Sequence, residues 1–444
     1  MPVSPAGPDN CRMDTSGASG QPTSRAEKAG PQQQSFPSPF RCYDPRMAPP
    51  PADPSPDLHP GNRSLTRACL VAMVLGCYFS VAAMHILLGL AFVSWVSSSM
   101  PALRHPLRTP LMWPMAGFVL IAALSAILAW NPMSTKEAFS FATPLLVYVM
   151  TRDVMAGPSL VNRSVQYVIW GGILAAGLGL AQSAFEAQGF RISGSLSRYG
   201  TFSGVLLLAL MLNLSRAMFG ASTRERVPLL LGLGVIVWAL VMTETRGVWV
   251  GLVAGGATLI GLWRPRALVA LPIVLIGAYL AVPSSIQENI QSALDGSDPV
   301  VSERLTELDH GIEIILDNPI LGVGPRMVRE VYDDYRTPEE AALEGRVPRY
   351  LHNNAIQIAA DLGLLGLGFW LAIWISWFVR VARSYARVDE SDHASRAVIA
   401  GCLAAMVAFQ VMGLFEYNMG DSEVAFLSLF VFALPLAIEA YSGD

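Results

Sequence analysis

Apolar runs separated by short polar breaks organise most of the chain. They lie at roughly 68–98, 111–130, 136–151, 160–187, 199–219, 226–245, 247–263, 267–283, 353–380, 396–415 and 423–441. Most approach the ~20 residues that carry a helix across a bilayer. The run at 136–151 is short and opens with Lys136 and Glu137. The runs 226–245 and 247–263 are nearly continuous, broken only by "TETRG". One polar stretch is long, at 284–352. No internal repeat of fixed period stands out. The pattern predicts an all-α, polytopic transmembrane helix bundle with one large loop.

Arginines orient the spans. "SRAMFGASTRER" (215–226), "WRPR" (263–266) and "RVARSYAR" (380–387) are short basic loops between spans. Strict alternation puts all three on one side, and the positive-inside rule makes that side cytoplasmic. The connections 188–198, 243–247, 284–352 and 416–421 then face outward. The long loop holds six arginines against fourteen carboxylates, a net charge of −8, which fits the outer side. "RHPLR" at 104–108 and the approach Arg63/Arg67 both fall inside, so 68–98 reads as two helices folded as a hairpin. This gives about twelve spans with both ends inside; eleven spans with the tail outside is the alternative.

Composition sharpens the class. Hydrophobic residues make up 52% of the 444 and charged residues 14%, against roughly a quarter charged in soluble domains. Residues 1–66 are rich in Pro, Ser, Gly and Gln and are predicted to be a disordered cytoplasmic tail. The expected division is then 1–66 tail, 67–283 N-terminal transmembrane bundle, 284–352 periplasmic loop and 353–444 C-terminal transmembrane helices. The five cysteines, Cys11, Cys42, Cys69, Cys77 and Cys402, form no CxxC pair. Neither a disulfide framework nor a zinc site is indicated, and no feature points to a nucleic-acid partner.

Charged residues at span ends are functional candidates. Arg246 in "TETRGVWVG", Arg191 in "RISGSLSRYGTFSG" and His352 in "RYLHNNAIQIAADLGLLG" arrive at the same outer face, as do Glu416 and Asp421. Each also has a plainer reading. His352 suits an interfacial or capping role. Arg246 suits a snorkelling anchor, and Arg304 a loop ion pair. Glu416 and Asp421 read first as structural partners of an arginine. Gly322 and Gly324 read as a tight turn, because no strand precedes them as a nucleotide loop requires. His85, His105 and His310 have no partner nameable from sequence.

"LHNNAIQIAADLGLLGL", "DNPILGVGP", "TETRGVWVG", "RISGSLSRYGTFSG" and "GLFEYNMGDSEV" together resemble the bacterial O-antigen ligase and polymerase family. The resemblance covers about 110–430, with the motifs in the same order. It implies about twelve helices with a large periplasmic loop, in the bacterial inner membrane. It further implies transfer of a glycan from an undecaprenyl-diphosphate carrier to an acceptor sugar, without cofactor or metal. The family's histidine after the long loop falls on His352, followed by Asn353 and Asn354. Its turn arginine falls on Arg246, preceded here by Thr245 in place of Ser, and its R-x-x-G arginine on Arg191. Arg304 matches a recurrent loop arginine, whereas Arg198 stands where relatives often have His.

The chemistry suits such a site. Guanidinium groups bind phosphate oxygens bidentately and stay charged, so Arg191 and Arg246 fit a departing diphosphate. No DxD-like pair stands among these residues, so the arginines would replace a metal. A histidine titrating near neutrality suits a general base for the acceptor hydroxyl, and single displacement inverts the anomeric centre. Arg304, Asn353, Asn354, Tyr350 and Glu416 are the expected substrate-binding residues. For the asparagines, helix capping is the alternative; for the tyrosines, an aromatic belt. The expected partners are the lipid-linked donor, a lipid A-core or other glycan acceptor, and membrane lipids. A repeat-unit polymerase is the alternative within the family. A polyprenyl-glycan flippase is the alternative outside it, although a transporter more often places charge near mid-membrane.

Overall fold

The computed structural model describes residues 60–99, 111–184, 191–220, 222–281, 298–338, 340 and 347–442, with scattered positions between 284 and 296. Among them every regular element is helical. Eight helices are long and apolar enough to cross a membrane, consistent with a multi-pass membrane protein. The tail expected over 1–66 lies outside the described residues as far as 59, and "RHPLR" lies outside them too.

The first apolar run is two helices, α1 (Pro60–Phe79) and α2 (Val81–Ser99), as the sequence suggests. The break is at Ser80, whose hydroxyl accepts from Ala83 N. The legs run antiparallel: Asn62 reaches Ser97 at 3.0 Å and Thr66 reaches Ser94 at 3.0 Å. α3 (Met112–Leu128), α4 (Pro132–Val154) and α5 (Pro158–Ser183) follow. Asn131 caps α4 ahead of Pro132, whose missing N–H costs nothing in a first turn. α6 is Tyr199–Ser215, α7 Thr223–Thr243, α8 Arg246–Trp263 and α9 Leu271–Ala281. A capping box of Ser222 and Glu225 opens α7. Glu244, with φ 51°, ends it in the left-handed region.

Of the twelve spans expected, eight helices among the described residues meet the length and apolarity required. α3 has only 17 residues. The run at 267–283 yields an 11-residue α9, because Pro265–Ala270 winds as a 3-10 turn. α1 carries Arg63 and Arg67, and α4 carries Lys136, Glu137, Arg152 and Asp153, so both fall short on apolarity.

The 284–352 stretch contains a helix of its own, α10 (Pro299–Asp317), capped by Asp298. Its Ile314 packs with Val328, Tyr332, Leu351 and Ala360 in a small separate core. His310 finds partners there, Tyr332 Oη at 3.1 Å and Glu340 at 3.4 Å. The last helices are α11 (Asn354–Arg387), α12 (His393–Met412) and α13 (Ser422–Ser442).

α6 is buried nearly all round, and α12 and α13 are close to it; helices apolar on every side belong at the centre of a bundle. Large apolar side chains on α2, α7 and α9, among them Val93, Leu231 and Ile273, face outward. α8 approaches α12 through small residues. A Cβ on Gly251 would lie 2.7 Å from Ala408 O, and one on Gly255 2.9 Å from Ala404 O. Only glycine allows so close a backbone approach. The contact fixes the start of α8, and Arg246 with it, against the turn that follows α12.

Candidate active site

Asn353 is the N-cap of α11: its Oδ1 accepts from Ala355 N at 2.9 Å and Ile356 N at 3.1 Å. Its Nδ2 donates to Leu414 O at 3.1 Å. Asn354 is buried, donating to Asn418 Oδ1 at 2.6 Å and accepting from Met419 N at 3.3 Å, and so ties α11 to the 413–419 turn. The cap places His352 immediately before the helix mouth.

His352 Nδ1 donates to Glu307 Oε2 at 2.7 Å. With Nδ1 as the donor, Nε2 is the ring nitrogen that carries the lone pair in the neutral imidazole. Glu307 comes from α10 and is 6% exposed, whereas the imidazole is 39% exposed. This hydrogen bond raises the His352 pKa above its ordinary value; partial burial opposes it, and the charges of Glu307 and Glu416 add to it while Arg304 subtracts.

The arginines are brought to the same end, each already paired. Arg304, one turn before Glu307 on α10, donates to Glu416 Oε1 at 2.7 Å. This is the structural pairing anticipated for Glu416. Arg246 Nη1 donates to Asp298 Oδ2 at 2.5 Å, while Asp298 Oδ1 accepts from Val300 N at 2.8 Å. One carboxylate thus caps α10 and grips the start of α8. The Arg246 hydrogen bond holds the Asp298 carboxyl below its usual range. Arg191 donates to Thr243 O at 3.0 Å and Glu244 O at 2.5 Å, and its guanidinium lies 3.9 Å from the Tyr199 ring centroid. It therefore braces the α7–α8 turn directly behind Arg246. Arg198 faces Asp421 at 3.9 Å, and Asp421 also accepts from Thr201 at 2.6 Å. Tyr350 packs on Tyr417 with ring centroids 5.1 Å apart, under the guanidinium of Arg349.

These contacts form a sequence. Arg191 supports the turn that carries Arg246. A Cβ on neighbouring Gly247 would lie 3.7 Å from Glu416 Cγ. Glu416 holds Arg304, and α10 carries Arg304 and Glu307 to His352. Among the described contacts, Arg191, Arg246 and His352 make no hydrogen bond to one another. Two cavities lie elsewhere: an apolar crevice lined by Phe118, Phe141, Trp370 and Trp374, and a shallow hollow at 126–135. Arg191 and Arg246 are instead partly exposed, 35% and 44%. Among the described residues, no group of three or more His, Cys, Asp or Glu is arranged to hold a metal ion.

Sequence reasoning missed Asp298 and Glu307. Signals for both exist: Asp298 precedes Pro299 as an N-cap does, and Glu307 follows Arg304 at a helical i,i+3 spacing. Nothing in the spacing reveals that their partners are Arg246 and His352.

Residues 230–371 match the family model described as O-antigen ligase. The stretch runs from α7 into α11 and includes Arg246, Asp298, Arg304, Glu307 and His352. No curated protein matches the chain. The match supports assignment to the O-antigen ligase/polymerase family.

Proposed function

We propose that this protein belongs to the O-antigen ligase/polymerase family and moves a glycan from an undecaprenyl-diphosphate carrier to an acceptor sugar hydroxyl. Transfer takes place at the periplasmic face of the bacterial inner membrane. The single observation behind this is the His352–Glu307 pair. A histidine whose Nδ1 is held by a buried carboxylate presents a basic Nε2 outward, which is the geometry a general base needs.

Nε2 takes the acceptor hydroxyl's proton as the oxygen attacks the anomeric carbon. The diphosphate leaves from the opposite side, so the anomeric configuration inverts. The Glu307 carboxylate stabilises the imidazolium that forms. Arg246, and behind it Arg191, offer guanidinium charge to the diphosphate without a metal. In this reading the Arg246–Asp298 and Arg304–Glu416 pairs hold the arginines in place before the donor arrives.

Only neutral His352 acts as a base, so kcat/KM falls as pH drops through its pKa, which Glu307 holds above the usual ~6.5. Glu307→Gln removes the carboxylate and should move this acid limb to lower pH, with a smaller plateau rate. A pH–rate profile of the purified variant tests this; an acid limb that stays in place would remove Glu307 from the mechanism.

The first reading is a ligase, the word in the matched family's description, with a lipid A core or other glycan as acceptor; a repeat-unit polymerase is the second. A deletion strain should then lose all long chains from the core while retaining lipid-linked polymer. Single repeats on the core would assign the polymerase reaction instead.

A further inference from the structure

We infer that Gln357 and Asp361 form a buried positioning pair that fixes the backbone carrying His352; the inference rests on the reading of His352 as the base. Leu351 N, one residue before the histidine, donates to Gln357 Oε1 at 2.7 Å. Gln357 Nε2 donates to Asp361 Oδ2 at 2.9 Å. All three residues are buried.

The chain has one possible polarity. A backbone N–H only donates, so the Gln357 carbonyl must face Leu351. That turns its amino group inward, where it needs an acceptor. Asp361 supplies one from the next turn, at the i,i+4 spacing that brings side chains together. A buried carboxyl is costly unless it is hydrogen-bonded, and Gln357 is the side chain that Asp361 holds.

Asp361 is itself anchored. α11 breaks just after it at Gly363, with φ 70°. The 319–324 segment clamps the break: Val323 N donates to Ala360 O at 2.9 Å, Gly324 N to Asp361 O at 3.0 Å, and Leu364 N to Pro319 O at 2.8 Å. Ser125 Oγ on α3 donates to the same Asp361 carbonyl at 3.0 Å. A Cβ on Gly322 would lie 2.4 Å from Asp361 C, so "GVG" reads as a close-approach segment. The line from this clamp through Asp361 and Gln357 ends at the amide next to His352. Glu307 orients the imidazole from one side, and this pair fixes its main chain from the other. Both are positioning residues, since neither reaches the reacting atoms.

A charge swap tests the pair. Asp361→Asn alone should stay within about threefold of wild-type turnover, because the asparagine carbonyl accepts the same Gln357 bond. Gln357→Glu alone sets two carboxyl oxygens face to face. Its kcat should fall roughly tenfold to hundredfold, with KM little changed, the scale of loss a misplaced catalytic group produces. Combining the two restores one donor and one acceptor in reversed order and should recover most of the turnover. The companion readout is independent of transfer: the pH-dependent rate at which diethyl pyrocarbonate modifies His352, mapped by mass spectrometry. It should shift in Gln357→Glu and return in the double variant. If Gln357→Glu does not fold, the apolar double variant Gln357→Met/Asp361→Leu takes its place, with lower kcat and altered His352 reactivity expected. Wild-type turnover and reactivity in whichever disrupting variant is measured, or a swap that restores neither, overturns the proposal. The two readings fail separately. Full activity in His352→Ala, with the swap still governing His352 reactivity, removes the base assignment and leaves the positioning pair. Inactive His352→Ala with unaltered swap variants does the reverse.

Discussion

Replacing His352 by alanine is expected to lower transfer by about a hundredfold or more, the usual cost of losing a positioned base. The protein should fold normally, because the side chain is partly exposed and its one recorded hydrogen bond goes to Glu307. Removing the imidazole does leave the buried Glu307 carboxylate without its donor, so a modest loss in melting temperature should accompany the loss of activity. Donor binding should survive, since the base acts on the acceptor hydroxyl. The measurement is therefore twofold: initial transfer rates, and retention of lipid-linked donor by the purified variant. Loss of both together would make His352 a binding or folding residue.

The second large effect is expected at Arg246. Arg246→Lys should be nearly as damaging as Arg246→Ala, with a roughly tenfold to hundredfold loss in kcat/KM, the scale of one or two hydrogen bonds between charged groups. The guanidinium gives one nitrogen to Asp298 at 2.5 Å and leaves the rest of its fork partly exposed. A lysine has one ammonium on a flexible stem, so it cannot hold Asp298 and receive a diphosphate with the same planar geometry. An arginine that merely anchored the helix end would tolerate lysine. Arg191 acts one step behind, through the carbonyls of Thr243 and Glu244. Losses at Arg191 and Arg246 should therefore be less than additive, since both converge on one turn. Full additivity would separate the two functionally.

Much of the bundle was legible in the chain. The hairpin split within 68–98 followed from charge placement, and the break falls at Ser80. "TETRG" read as a tight connection, and it is one, turned by Glu244 at φ 51°. Helix starts within the apolar runs were less legible. Pro265–Ala270 takes a 3-10 form and shortens α9. The partners of the candidate residues were not legible. The 284–352 stretch offers fourteen carboxylates that look alike in sequence. Only the packing of α10 selects Glu307 for His352 and Asp298 for Arg246. Arg191 and Arg246 read as guanidinium charge for a diphosphate, whereas each is paired. Gln357 and Asp361 stood in plain view as polar residues in an apolar helix. Their target is a backbone N–H, which no side-chain pattern displays.

The central claim is a metal-free, histidine-based transfer, and a purified assay tests it most directly. Wild type and His352→Ala would be incubated in EDTA with an undecaprenyl-diphosphate-linked glycan and a glycan acceptor, and the product's anomeric configuration read by NMR. The expected result is an inverted linkage formed by the wild type in chelator, and less than about a tenth of that rate in His352→Ala. Transfer that appears only after Mg²⁺ or Mn²⁺ is added, or an alanine variant that keeps most of the rate, would contradict it.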